Sequence, residues 1–309
     1  MLDFGRVLIA LELGDEDEST LAYASRLFRL LQPKRVDVVH VLDTRMVPDA
    51  ILEKYSDWLR PARQRRSGRL RDSIAGNLEV HEDTAVHQHI LAGAPLRQIL
   101  DLSSQQRSSV IITGSSNRGS RVATLPVRLA RRAGCSVLIV PAGSPPRLQE
   151  LLVPIDFDQG SAYAVTIAAA LADRALTPRL RGLHAYALPP GARESGKSEK
   201  ALAEIVLTYA RHAYDRFLEG ITDLSVPLEM EYVLDLHPAH AVLKAARRDH
   251  CDLIVMGEPD GKATGQGQLG RVAVRVIYDS PVPVLFARRS GQDGRTLDRG
   301  SVQTGTTPP

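Results

Sequence analysis

Two periods of apolar patterning alternate along this chain. Short β-branched runs stop abruptly at glycine, proline or an acid, and stretches with an apolar residue every three or four positions separate them. The first kind reads as buried strand and the second as amphipathic helix. Asp252-Leu-Ile-Val-Met-Gly257 shows it best. A glycine-rich loop follows it, then a helical stretch from Leu269-Gly270-Arg271-Val272, then the run Pro283-Val-Leu-Phe286. Glycine where a parallel strand ends lets a ligand approach the backbone, and the next helix can turn its free N–H groups toward an anion.

From the N-terminus, strands are expected at Arg6–Leu11, Val36–Val41, Leu78 to about His89, Val110–Thr113 and Val137–Val140. The acidic loop Gly14–Ser19 should cap a first helix through Ser19 or Asp17, with Leu21, Ala24, Leu27, Phe28 and Leu31 as its buried face. A long charged helix is expected over Asp49–Ile74, broken or kinked at Pro61. Pro95 opens another, and Leu125–Arg132 a fourth. The order then repeats. Strands fall at Leu151–Ile155, Leu180–Tyr186 and Leu228–Leu234, and helices at Ser161–Ala172, Ser198–Leu218 and Pro238–Arg247.

The repetition is nearly gapless. Glu12 and Asp156 stand 144 apart, as do His40 and His184. Pro95 and Pro238 stand 143 apart, as do Gly114 and Gly257, and Ala123 matches Gly270 at 147. The first copy is about four residues shorter in its glycine loop. One domain is therefore written twice: residues 1–143 and 148–289, joined at Ala142-Gly-Ser-Pro-Pro146, with 290–309 as a disordered tail. Alternating strand and helix predicts an α/β fold of two tandem, doubly wound parallel sheets, each its own body rather than parts of one continuous sheet. Ligands on such sheets sit beyond the strand carboxyl ends where strand order reverses, which nominates Asp156 and Gly257.

Composition narrows the class. The 309 residues are 43% hydrophobic and 24% charged, as in a soluble globular protein. The apolar runs are too short to span a bilayer and the first residues lack a signal-peptide layout, so cytoplasm is the expectation. Cys135 and Cys251 occupy non-equivalent places and read as buried free thiols. A net charge of +3 does not argue for nucleic acid.

Val153-Pro154-Ile155-Asp156, Leu183-His184-Ala185, Ile254-Val-Met-Gly257 and the segments after it resemble the universal stress protein family, and the first copy is similar to a weaker member. The resemblance covers Arg6 to Arg289. It implies five parallel strands ordered 3-2-1-4-5 in a Rossmann-like arrangement, with domains pairing through strand 5, here within one chain. A further homodimer stays open. Many members bind ATP through Gly, two residues, Gly, nine residues, then Gly followed by Ser or Thr, the strand-1 aspartate beside the nucleoside and the backbone after the strand-2 histidine near the base. Carried over, the resemblance places an adenine nucleotide (ATP, ADP or AMP) against Pro154, Asp156, Ala185, Gly257, Gly261, Gly270, Arg271 and Val272. The second copy departs from the pattern. Asp260 holds the middle glycine position, with Gly261 beside it, and Arg271 stands where the hydroxyl belongs; Lys262, Gly265 and Gly267 complete the loop. In the first copy Glu12, Asn117 and Ala123 replace the family residues, though Thr124 keeps a hydroxyl.

Other candidates have plainer readings. His40 and His184, mid-strand in both copies, suit a packing or hydrogen-bonding role. His81, His87 and His89 alternate as on one strand face; a metal would need further ligands, and an exposed edge strand is the ordinary alternative. His237-Pro-Ala-His240 suits a helix start. Arg60, Arg63, Arg65, Arg66, Arg69 and Arg71 form one basic stretch and Arg118, Arg121, Arg128, Arg131 and Arg132 another. They are solvated helix faces or docking faces for an acidic partner, without the interleaved aromatics that base stacking needs. No nucleophile elbow, Cys-x-x-Cys, zinc helix motif or Walker lysine loop is present. Two functions remain: a non-catalytic tandem stress protein that senses adenine nucleotide through its second copy, or a nucleotide-free module that docks a protein through its basic helices.

Overall fold

The computed structural model describes residues 4–48, 51, 59–115, 124–176, 179–192, 194, 196–222, 224–259 and 269–289. The tail, Asn117, Ala123 and the loop holding Asp260, Gly261, Lys262, Gly265 and Gly267 lie outside them. The first half runs β1 (Arg6–Ala10), α1 (Asp17–Leu31), β2 (Arg35–Asp43), α2 (Arg60–Asn77), β3 (Ala85–Gly93), α3 (Pro95–Gln106), β4 (Val110–Ser115), α4 (Leu125–Arg132) and β5 (Ser136–Pro141). The second runs β6 (Glu150–Pro154), α5 (Gln159–Ala175), β7 (Arg179–Tyr186), α6 (Glu199–Glu219), β8 (Leu228–Leu234), α7 (Pro238–Arg248), β9 (Leu253–Gly257), α8 (Arg271–Asp279) and β10 (Val284–Ala287).

Strand alternation sends side chains to two cores. On β9, Leu253 and Val255 enter one core while Ile254 and Met256 enter the other. The first core lies under α1, α2, α5 and α6, and the second under α3, α4, α7 and α8. Each fully buried Leu, Ile or Val contributes about 1.5–3 kcal/mol, and strands covered on both faces explain the unbroken apolar runs.

The expectation of two separate sheets is corrected. All ten strands among the described residues form one sheet in the order β3-β2-β1-β4-β5-β10-β9-β6-β7-β8. Each half keeps the internal order 3-2-1-4-5 with parallel neighbours. The halves meet where β5 and β10 pair antiparallel, Val137 opposite Phe286 and Ile139 opposite Val284. Left apart, both strands would expose unpaired backbone groups at an apolar edge; pairing removes both edges. Both cores run through this seam. Tyr23 on α1 is fully buried and donates its hydroxyl to the Asp252 carbonyl at 3.1 Å in the other half. The Arg288 guanidinium reaches back to the carbonyls of Ala133 and Ala130 at the end of α4, and pairs with Glu258 at 2.9 Å.

Three boundaries also differ from the sequence reading. β3 begins at Ala85, because Leu78 extends from the end of α2 into the core and a turn follows, closed by Thr84 N–H to the His81 carbonyl at 2.9 Å. His81 is thus off the strand that carries His87 and His89. Within the charged stretch α2 starts at Arg60, so Pro61 sits in its first turn, where a missing N–H costs nothing, rather than at a kink. Neither Ser19 nor Asp17 is the N-cap of α1. Glu16 holds that position without a side-chain capping bond, and Asp17 turns back onto the preceding loop.

Candidate functional site

Backbone geometry confirms the duplication independently of side chains. Among the described residues, the non-glycine ones with left-handed φ fall into three equivalent pairs: Leu13 (60°) with Phe157 (66°), Gln32 (44°) with Leu176 (70°), and Arg107 (52°) with His250 (51°). Gln32, Arg107 and Leu176 are the C-caps of α1, α3 and α5, and His250 follows Asp249, the C-cap of α7. The first pair lies in the turn leaving strand 1, just after Glu12 and Asp156, where a side chain tolerates this backbone only at a cost of roughly 1–3 kcal/mol.

Order reverses around β6, which has β7 on one side and β9 on the other. A crevice of about 350 Å³ opens there, at the small end of the range for ligand pockets. Its apolar wall is Leu183, Val242 and Met256. Of the residues nominated from the sequence, it brings together Pro154, Asp156, Ala185, Gly257, Gly270, Arg271 and Val272. Gly261 lies outside the described residues. The sequence reading missed Ser161, Asp158, Pro238 and Pro259, which also line it. A signal for two of them existed: Asp158, three residues before Ser161, is an N-cap spacing.

These residues form a small polar network. Asp158 caps α5 by accepting the Ser161 N–H at 2.6 Å. The Ser161 hydroxyl donates to the Asp156 carboxylate and accepts the Asp156 N–H at 3.1 Å. Loss of water around Asp156 and the nearby Asp158 charge push its carboxyl above the usual range, against the pull of the serine hydroxyl. His184 donates Nδ1–H to the Ile155 carbonyl at 2.8 Å, and its ring centroid lies 4.3 Å from that of Phe157. His40 makes the same bond to Leu11 at 3.0 Å. Both histidines therefore clamp the end of strand 1. His240 bonds Asp235 at 2.7 Å beside the start of α7, and His89 bonds the buried Asp37 at 2.7 Å. Cys135 and Cys251 are free and buried. His81, Glu82 and Asp83 come together at the surface, all exposed.

Gly257 has a reason other than ligand approach. A Cβ there would lie 1.9 Å from the Gly160 carbonyl oxygen, and one on Gly160 would lie 1.9 Å from that of Glu258. The glycines let α5 touch the end of β9 on the face opposite Met256. Gly270 is the N-cap of α8, with Arg271 as the first helical residue and no side-chain cap.

The first half differs. The Asp17 carboxylate, equivalent in place to Ser161, accepts the N–H groups of Glu12, Leu13 and Gly14 at 3.3, 2.6 and 3.2 Å. Burial, then the charges of Asp17 and Glu16, raise the Glu12 pKa. Arg69 from α2 donates to the Leu13 carbonyl at 2.7 Å. Thr124 is the N-cap of α4 without a side-chain bond.

Fold and crevice together define a doubly wound α/β protein written twice, with a pocket at the second switch point. The sequence pattern of the universal stress protein family matches residues 3–141 and again 148–288. The chain belongs to that family. A curated relative from Thermus aquaticus, "Universal stress protein in QAH/OAS sulfhydrylase 3'region", is 39% identical over 70 residues, 23% of this chain; the match spans about half (51%) of the relative's length. A universal stress protein structure from Archaeoglobus fulgidus aligns over 93% of this chain and 97% of its own at 18% identity, TM-score 0.57. A protein assigned to the same family from Pseudomonas aeruginosa aligns over 93% and 94% at 15% identity, TM-score 0.58. Among the described residues no helix is long and apolar enough to cross a membrane.

Proposed function

We propose that this chain is a non-catalytic, cytoplasmic stress-response protein that binds an adenine nucleotide in the crevice of its second half. The observation that carries this reading is the convergence of Asp156, Ala185, Gly257, Gly270 and Arg271 on one crevice of about 350 Å³ at the switch point. Asp156 offers a carboxylate to sugar hydroxyls, the apolar wall suits a base, and the free N–H groups at the start of α8 suit phosphate. The first half serves as the structural partner that closes the β10 edge. The test is thermal unfolding with ATP, ADP, AMP and adenosine. Millimolar nucleotide should raise the midpoint, since a ligand at 100 times its Kd stabilises by about 2.7 kcal/mol. No rise with any of them rejects the reading.

A second reading has its own support. Helix packing alone accounts for the missing Cβ of Gly257, and an arginine stands at the hydroxyl position. A nucleotide-free module would dock an acidic protein through α2, whose Arg60, Arg63, Arg65, Arg69 and Arg71 are exposed. Unchanged unfolding in nucleotide, with salt-sensitive capture of an acidic partner lost on removing these charges, would favour it.

A further inference from the structure

The net charge of +3 hides a sidedness that the fold exposes. Four helices cover one face of the sheet in the order α3, α4, α8, α7, each packed on the next. Arg131 and Arg132 on α4 and Lys244 and Arg247 on α7 are exposed, and Arg128 on α4 is half-buried. These five have no ion-pair partner among the described residues. Arg275 on α8, between them, is paired with Asp279, and Arg97 on α3 faces Asp101 at 3.5 Å. Asp101 and Asp279 are the carboxylates of the four helices, and both are thus engaged. Arg131, Arg132 and Arg247 stand in last helical turns, where they also offset the helix dipole; Arg128 and Lys244 do not.

Both halves share the excess. Arg128 and Arg275 are equivalent positions 147 apart, and the surface is centred on the seam rather than on the crevice. On the opposite face the seam helices α1 and α5 pack together and their charges balance: Asp17, Glu18 and Asp173 against Arg26, Arg29 and Arg174. The basic face also lacks apolar anchors. Among the described residues, large hydrophobic side chains such as Ile205 and Tyr209 are exposed elsewhere, but none on these four helices. Their one aromatic residue, Tyr278, is half-buried.

Protein interfaces are built on buried aromatic and apolar anchors. Single strands of nucleic acid need stacking aromatics, and stable membrane attachment takes a hydrocarbon insert as well as charge. This face offers none of these. The backbone of a DNA duplex needs only cations, because it carries one negative charge per about 1.7 Å. Double-stranded RNA is recognised through its 2′-hydroxyls as well as its phosphates, whereas the unpaired groups here are all cations. Helices packed side by side stand about 10 Å apart, so α4, α8 and α7 present their cations over roughly 20 Å, enough to meet several phosphates. We propose that the face formed by α3, α4, α8 and α7 docks duplex DNA through its phosphate backbone, without reading sequence. This surface is independent of the nucleotide reading above.

The test is fluorescence anisotropy of two short labelled DNA duplexes of unrelated sequence, titrated with the full chain over a range of salt. Three proteins are compared: wild type, Arg131→Gln/Arg132→Gln/Arg247→Gln, and Arg63→Gln/Arg65→Gln on α2. All the substituted side chains are exposed, so folding should persist, checked by circular dichroism. Both duplexes should bind wild type alike, with log affinity falling against log salt at a slope of about −4 to −5 for five phosphate contacts. The triple variant should bind about tenfold or more weakly, with a slope shallower by about 3, and the α2 variant should bind as wild type does. No binding at low salt, equal affinity in wild type and the triple variant, or as large a loss in the α2 variant overturns the proposal. Tighter binding to phosphatidylserine vesicles, an acidic peptide or an RNA duplex than to DNA overturns it as well.

Discussion

The two halves share a backbone but differ in how they fill the turn after strand 1. In the first half Asp17 folds back and accepts three backbone N–H groups. That turn supplies its own anion, with Glu12 and Glu16 close by. In the second half Ser161 stands in that place, bonded to Asp156 and to its N–H, and the crevice beyond is open. The glycine contacts differ in parallel. Gly257 meets the Gly160 backbone, whereas Gly114 meets a side chain, the Thr20 hydroxyl. The charge on strand 2 even changes sign: buried Asp37 sits between Arg35 and His89, while the equivalent, half-buried Arg181 sits between Glu231 and Asp249. Duplication preserved backbone geometry and let side-chain chemistry diverge.

The glycines offer the largest test of that contrast. Gly257→Ala must displace backbone and should destabilise by about 3 kcal/mol, whereas Gly114→Ala displaces a side chain and should cost about 1 kcal/mol. Denaturant midpoints of the two variants check this, and equal losses would erase the distinction. Next come the turns. Asp17→Ala strands three backbone donors and should cost about 2 kcal/mol, Ser161→Ala about 1 kcal/mol. The reverse order would show that the second turn, not the first, is the self-sufficient one.

The smallest effect is a pH dependence. Burial, with the Arg66 and Arg69 charges, lowers the His40 pKa below its ordinary value, against the pull of the Leu11 carbonyl. The unfolded chain then binds the proton more readily. His40 therefore costs no stability above about pH 6.5, and stability falls as pH drops through that value toward the lower folded pKa. Unfolding midpoints compared at pH 7.5 and 5.5 should show a smaller drop in His40→Gln than in wild type. An equal drop would remove His40 from the account.

Most of the architecture was legible in the sequence because both signals it needs are local. Run length and period located the ten described strands, with the start of β3 seven residues early, and the 144 and 143 offsets exposed the duplication. The left-handed pairs Leu13/Phe157 and Arg107/His250 follow those offsets. What escaped were choices settled by distant contacts. Leu78 looks like a strand start, but tertiary packing uses it to end α2. Asp17 looks like a cap, but the loop before it competes for its carboxylate. Period two puts Gly257 on the face of Leu253 and Val255, toward α5, yet only the structure shows Gly160 waiting there. Joining the sheets likewise depends on two edges 145 residues apart finding each other, Val284 against Ile139. Asp156 and Gly257 were nominated because strand ends at a switch point converge by topology, and Pro154 by the family resemblance. Ser161 was missed because its role depends on the turn's conformation.

The central claim is that adenine nucleotide binding belongs to the second half. Calorimetric titration of ATP into the full chain, into Asp156→Ala and into Glu12→Ala tests it most directly. The account predicts one site per chain, weakened about tenfold or more by Asp156→Ala and unchanged by Glu12→Ala. Two sites per chain, or a single site that responds to Glu12 and not to Asp156, would contradict it.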